Sequence, residues 1–288
     1  MLELVVLGLA AGSVYSLLAL SLVLVDKTSG VVNFAQGEIA MFATFVSFYL
    51  LTSGGVAALP AVLAAVATAV AIALLVERFT IRPILHRPEA HAVIMTVGIF
   101  LILNAGAGWA FGSVPRGYPT LLDIGALRIG GFTIPPPQLL TLVTTAVLCL
   151  ALWALFRFTR LGLAMRATQQ NRRAAMLMGV RVGTVFSATW ALGGVLAAIA
   201  GILIAPITGL SPQFMVPVLV SALAAAVIGG FGSVEGAVLG GLLLGVAQVL
   251  VGSYLSLNFQ EAVTFAVIIA ILVTRPQGLL GTTRQRPV

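Results

Sequence analysis

The sequence is poor in the residues that give most proteins their solubility and their chemistry. Charged residues are 8% of its 288 positions, against about a quarter in an ordinary soluble domain. Cys149 is the one cysteine, so no intrachain disulfide can form, and its place inside an apolar run marks a packed, inert thiol. Lys27 is the one lysine, and no GxxxxGK[ST] occurs, so the chain has no P-loop of its own with which to hold ATP. The two histidines, His86 and His91, lie five apart, share no helix face and have no cysteine or carboxylate set beside them. That argues against a metal site. The glycine-rich GGFGSVEG at 229–236 sits between apolar runs with no strand before it, and reads as a packing turn rather than a nucleotide loop. Nothing here supports an enzyme or a bound cofactor.

What is present is apolar surface. Apolar residues make up 60% of the chain and mean hydropathy is +1.14. Outer-membrane strands would alternate apolar and polar positions. Runs such as 57–76 are instead apolar on every side and long enough to cross a bilayer as helices. The expected fold is an all-α, polytopic bundle of eight or nine spans forming one transmembrane domain over 1–288. The nine spans are 4–25, 31–51, 57–77, 92–111, 138–156, 185–209, 214–231, 234–253 and 261–274. The start, MLEL, carries Glu3 and no basic region, so the first span is expected to be retained rather than cleaved.

Charge sets the orientation. Residues 157–184 hold six arginines (Arg157, Arg160, Arg166, Arg172, Arg173 and Arg181) and no acid. Basic segments of this kind stay in the cytoplasm. Nine spans with the N-terminus outside also put Lys27, Arg78, Arg82, Arg87, Arg275, Arg284 and Arg286 there, leaving Arg116 and Arg128 in the outer 112–137 loop. Trp109 at an outer end and Trp153 at an inner end fit the interfacial aromatic belts. The pI of 10.8 therefore reflects membrane topology rather than a nucleic-acid footprint. A connection of 28 residues exceeds what a turn needs, so 157–184 is a candidate docking surface for a cytoplasmic partner.

Three features have more than one reading. Pro206, Pro212 and Pro217 interrupt the pattern near 206–232, which fits either a broken helix buried in protein or a kinked complete span. A shift of 197 residues places Phe34 and Glu38 on Phe231 and Glu235, and Ala40 on Ala237, a faint sign of two related halves. Small residues every fourth position (Gly193, Ala197, Gly201, Ala205; Gly232, Gly236, Gly240) form stripes for close helix packing, within the subunit or at a seam between subunits. An ionisable side chain within a span costs on the order of 3 kcal/mol, so Glu38, with Asn33 and Gln36 beside it, stands out. Glu235 with Ser233 is its counterpart. Each acid either hydrogen-bonds backbone near the cytoplasmic face or borders a permeation path. No ionisable group is placed at mid-membrane, which argues for an external energy source over ion coupling.

The residues then resemble a known family. Gly12–Leu17 is similar to its first-span G-x-x-Y-A-L, and 32–38, VNFAQGE, to I-N-F-A-[HQ]-G-E. Glu77, Arg78, Arg82 and Pro83 resemble E-R-x-x-x-R-P, and 159–180 resembles its cytoplasmic coupling segment. Residues 228–241 and 275–281 resemble its glycine-rich and R-P-x-G-L-[FL]-G motifs. The chain is identified as a member of the H-type membrane subunits of bacterial branched-chain amino acid ABC importers. That resemblance implies a multi-pass subunit of the bacterial inner membrane, with a cytoplasmic C-terminus and a periplasmic N-terminus. It implies a second permease subunit, identical or not, two cytoplasmic ATP-binding subunits and a periplasmic or lipid-anchored substrate-binding protein. The expected cargo is a branched-chain or other hydrophobic amino acid, with urea or a short amide the alternative and a self-contained channel or carrier the less favoured one. Asn33, Gln36, Glu38, Ser233 and Glu235 are the candidate path residues. Arg166, Arg172, Arg173, Ala174, Ala175 and Gly179 are the candidate coupling residues.

Overall fold

The computed structural model describes residues 1–84, 87–121, 127–129, 132–256, 259–275 and 277–281. His86, Arg284 and Arg286 lie outside these residues, as does Pro276 of the terminal motif. Among the described residues no group of three or more metal-ligating side chains assembles.

The chain is helical, as its apolar runs require. The elements are α1 (Leu2–Ser29), α2 (Gln36–Thr52), α3 (Ala58–Leu75), α4 (Arg82–Ile84), α5 (Glu89–Phe111), α6 (Pro136–Phe158), α7 (Arg160–Gln170), α8 (Arg172–Leu177), α9 (Val182–Thr208), α10 (Val216–Gly229), α11 (Val234–Tyr254) and α12 (Phe259–Thr274). Six helical stretches are long and apolar enough to cross a membrane: Glu3–Ser29, Ala58–Ile84, Ala90–Phe111, Pro136–Phe158, Val182–Thr208 and Val234–Tyr254. Helices α10 and α12 are apolar but shorter. The 112–137 connection contains a feature absent from the sequence reading, an antiparallel pair of strands, β1 (Leu127–Ile129) and β2 (Phe132–Ile134), with Leu127 opposite Ile134.

Helices α1 and α9 are the most buried spans, and α1 lies most closely against α11. That closeness comes from missing side chains. A Cβ on Gly12 of α1 would sit 2.6 Å from the carbonyl oxygen of Gly241, and one on Gly8 would sit 2.7 Å from Cα of Val246. Gly236 and Gly240 of α11 meet Gly229 and Ala225 of α10 at similarly short range. Gly193 lies against Val25 and Gln36, and Gly201 against Thr44 and Ala40. At these positions both stripes serve packing inside the subunit, while Gly232 is exposed.

A π-helical turn, Val76–Ile81, joins α3 to α4 and gives the E-R-x-x-x-R-P motif its purpose. Glu77, 2% exposed, receives Arg82 through both carboxylate oxygens at 2.9 and 3.2 Å. Arg82 also donates to the carbonyl of Gly183 and to Ser187, and Ser187 donates to Glu77. A buried carboxylate thus ties the end of α3 to the first turns of α9. On the opposite side, Arg116 pairs by backbone with Leu210 and donates to Tyr49 at 2.7 Å. Burial pushes the Tyr118 hydroxyl above its usual pKa, with its 2.7 Å bond to Ser47 acting in the other direction, so it stays a neutral phenol there.

The α1–α11 approach leaves no room for a branched side chain. Gly12→Val should cost about 1–3 kcal/mol through overpacking, read as a lower unfolding temperature in detergent. Gly98→Val, where a Cβ meets nothing within 4 Å, should leave that temperature near wild type.

Candidate functional site

Two helices begin inside the bundle rather than at its ends. After α1 closes at Gly30 in left-handed conformation, residues 31–33 run without regular structure before the turn into α2. Asn33 Oδ1 accepts from the Ala35 N–H at 3.1 Å and Asn33 Nδ2 donates to Gln36 Oε1 at 2.7 Å. Gln36 Nε2 then donates to the carbonyl of Gly193 at 2.9 Å. Gly193 lies about 17 Å along α9, whose 27 residues reach about 40 Å. Helix α2 therefore starts near the middle of a spanning helix. Glu38 follows in the first turn of α2, at about that level of α9, because the 31–35 stretch carries the chain back into the bundle.

Helix α10 begins beside it. A Cβ on Gly37 would touch Leu219 and the Met215 carbonyl. Neighbour contacts show α2 running parallel to α9, and α10 antiparallel to α11, which is itself antiparallel to α1. The two helices leave a shared level in opposite directions. At 14 residues α10 covers about 21 Å, short of the roughly 30 Å hydrocarbon core. Helix α9 ends at Thr208, and α10 follows as a separate, shorter apolar helix. Pro206 lies in the last turn of α9, Pro212 in the connection, and Pro217 in the first turn of α10, where its missing N–H removes no helical bond.

Asn104 of α5, which sequence reasoning missed, joins these starts. Its Nδ2 donates to Glu38 Oε2 at 3.3 Å and to the Pro212 carbonyl at 3.1 Å. Glu38 is fully buried, and its Oε1 has no partner among the described residues. The one signal available was an asparagine inside an otherwise apolar run, a side chain that in a membrane interior seeks a partner on another helix. Asn33 and Gln36 thus form one buried set, tied to α9, and Glu38 belongs to a second, tied through Asn104 to the Pro212 carbonyl. Ser233 and Glu235 are elsewhere: Ser233 caps α11 by accepting from the Gly236 N–H at 2.9 Å and donates to Glu235 at 3.3 Å. Glu235 is exposed in the first turn, where the helix dipole favours an anion.

The basic segment is two helices, because Asn171 is extended and caps α8 through the Ala174 N–H at 3.0 Å. Two of its arginines close the ends of spans. Arg166 donates to the Phe156 carbonyl of α6 at 2.6 Å. Arg172 donates to Thr28 and Ser29 at the end of α1, with its guanidinium 4.8 Å from the Phe186 ring. Cations suit helix C-termini, whose last carbonyls lack partners. Arg173 and Ala174 are exposed, while Ala175 is buried against the bundle. Gly179, at φ +83°, ends α8 in a conformation that favours glycine. Leu177 and Met178 beside it are 89% and 85% exposed.

A cavity of about 550 Å³ opens between α9, α10, α11 and α12, and Ser221, Gln248, Glu261 and Thr264 are among its lining residues.

Comparison with known proteins agrees over nearly the whole chain. The family described as "Branched-chain amino acid transport system / permease component" matches residues 4–272. The high-affinity branched-chain amino acid transport system permease protein LivH of Escherichia coli K12 is 31% identical over 95% of this chain and 93% of its own. BraD of Pseudomonas aeruginosa, a permease protein of the same description, is 31% identical over 95% and 94%. A probable branched-chain amino acid transport permease of Methanocaldococcus jannaschii is 28% identical over 92% and 88%.

The Asn104 bridge can be weighed directly. Asn104→Leu strips Glu38 and the Pro212 carbonyl of their shared donor and should cost about 1–3 kcal/mol. In a double-mutant cycle with Glu38→Gln, the combined loss of thermal stability should be smaller than the sum of the two. Strict additivity would show that the bridge carries no coupling.

Proposed function

The chain belongs to the permease component family of branched-chain amino acid transport systems, and from that premise we propose how it works as the membrane subunit of an ATP-driven importer. It is a multi-pass membrane protein that carries branched-chain or other hydrophobic amino acids, not an enzyme. Its family works with ATP-binding and substrate-binding partners. The observation that carries this reading is the end-to-end match to amino acid permeases, joined to an apolar bundle with a projecting basic segment.

The finer assignments are ours. Nine helical passages, with α2 and α10 starting at mid-depth, put the N-terminus in the periplasm and the C-terminus in the cytoplasm of a bacterial inner membrane. The whole of 1–288 is one permease domain with 157–184 projecting from it. The two halves offset by 197 residues find support in Glu38 and Glu235, each in the first turn of its helix. One second permease, identical or related, completes the path, and two ATP-binding subunits sit beneath. A periplasmic or lipid-anchored binding protein delivers cargo, and membrane lipid covers the outer faces.

Within that assembly, α7 and α8 are the surface that receives the ATP-binding subunit. Arg166, Arg172 and Gly179 set its shape, Arg173 and Ala174 face outward, and Ala175 anchors it. Asn33, Gln36 and Glu38 act from inside the bundle by fixing where α2 and α10 break, which makes Glu38 a pin of the gate rather than a contact for cargo. Ser233 and Glu235 border the cytoplasmic exit.

The exposed pair Leu177 and Met178 supplies the discriminating variant, because an acid at buried Ala175 would disturb the fold itself. With Leu177→Asp and Met178→Asp combined, leucine uptake by the reconstituted importer should fall at least about tenfold, the effect of losing one well-buried apolar contact. Membrane insertion should be retained. Undiminished uptake would refute docking at α8.

A further inference from the structure

The cavity above α10 contains a polar side chain that the bundle does not satisfy. Gln248, 7% exposed, spends its Nε2 on two neighbours, the Ser221 and Thr264 hydroxyls, themselves buried. Both bonds use Nε2, and no bond to its Oε1 is found among the described residues. Such a carboxamide, held rigidly by two hydroxyls and keeping an acceptor open to a cavity, is preorganised for a donor from outside the protein. Glu261, in the first turn of α12, adds a carboxylate to the same cavity. Among the described residues no arginine, lysine or histidine lines it.

The opposite polarity comes from the backbone. The N-terminus of α10 lies in the cavity wall, with Val216 and Val218 among the lining residues. Pro217 has no N–H, and the Val218 N–H finds no backbone acceptor among the described residues. A helix start inside a bundle attracts an anionic group through this one orphan donor and its dipole. Phe214, Val218 and Phe265 supply apolar wall between the two poles. The volume, about 550 Å³, lies in the range of small-molecule sites, roughly 300–1,000 Å³.

We propose that this cavity is a subsite of the outer half of the path that orients an amino acid zwitterion. The ammonium group faces Glu261 and Gln248 Oε1, the carboxylate faces the start of α10, and the alkyl side chain lies along Phe214 and Phe265. This rests on the reading that the chain conducts amino acids, and it moves the cargo contacts to α10, α11 and α12, away from Glu38. Few hydrogen bonds and a wide mouth suit a passage, because tight capture would slow release.

The test uses the complete reconstituted importer with its binding protein. Gln248→Leu and Glu261→Gln should each lower leucine uptake per assembled complex roughly tenfold, as loss of one hydrogen bond to a charged group implies. Because Gln248→Leu also removes two internal bonds, a second measurement avoids perturbing that network. Val220→Cys, in a Cys149→Ser background, should react with a polar methanethiosulfonate reagent, and leucine supplied by the binding protein during turnover should slow that reaction while glutamate should not. Wild-type uptake in both variants, with no protection by leucine, overturns the subsite while leaving amino acid transport intact. A wild-type complex that moves no branched-chain amino acid overturns the underlying reading and this inference together.

Discussion

A membrane interior offers no water to backbone groups, so a helix can begin there only if protein supplies the missing partners. This constraint governs the centre of the molecule. Helices α2 and α10 both start at about half the height of α9. The cost is met by a short list of side chains, Asn33, Gln36, Asn104 and the Glu38 carboxylate, all drawn from segments that meet at that level. Asn33 braces the entry to α2 itself, Gln36 holds α9, and Asn104 holds the connection before α10. The breaks, the polar residues and the prolines are one solution to one problem.

The glycine packing serves the same end. A central layer of α1, α10 and α11 drawn together backbone to backbone leaves little space for lipid or water to enter near the broken helices. The cavity that remains lies to one side of this layer, above α10, and its open acceptor and helix start are polar groups the layer does not enclose.

Much of this was legible in the sequence, and the rest failed for identifiable reasons. Apolar runs gave the helices to within a few residues, since the period and length of a span leave little freedom: 234–253 became Val234–Tyr254, and 185–209 became Val182–Thr208. The motif around Asn33 and Glu38 was recognisable as unusual, but its depth was not, because a run read as 31–51 says nothing about an extended entry of five residues. Asn104 escaped notice since one polar residue in a span gives no periodic signal. Nothing in the sequence joins Gln248 to its Ser221 and Thr264 partners, which come from other helices. The arginines of 157–184 were read by their charge, and Arg166, Arg172 and Arg173 as coupling residues only through the family resemblance. Charge predicts the side of the membrane, while the roles of Arg166 and Arg172 depend on which carbonyls happen to end nearby.

Those two arginines make the basic segment a yoke. One holds the end of α6 and the other the end of α1, so a displacement of α7 and α8 arrives at both spans together and along their axes. A helix is stiff in that direction, and stiff elements carry a shift over tens of ångströms without dissipating it in side-chain motion. Because α1 runs 28 residues through the middle of the bundle, its far end near Glu3 would register a movement made at Arg172. Lysine in place of Arg172 would keep the charge yet grip less firmly, lacking the flat guanidinium that lies 4.8 Å from the Phe186 ring. The joint between α8 and the end of α1 would then be looser, with the rest of the bundle unchanged.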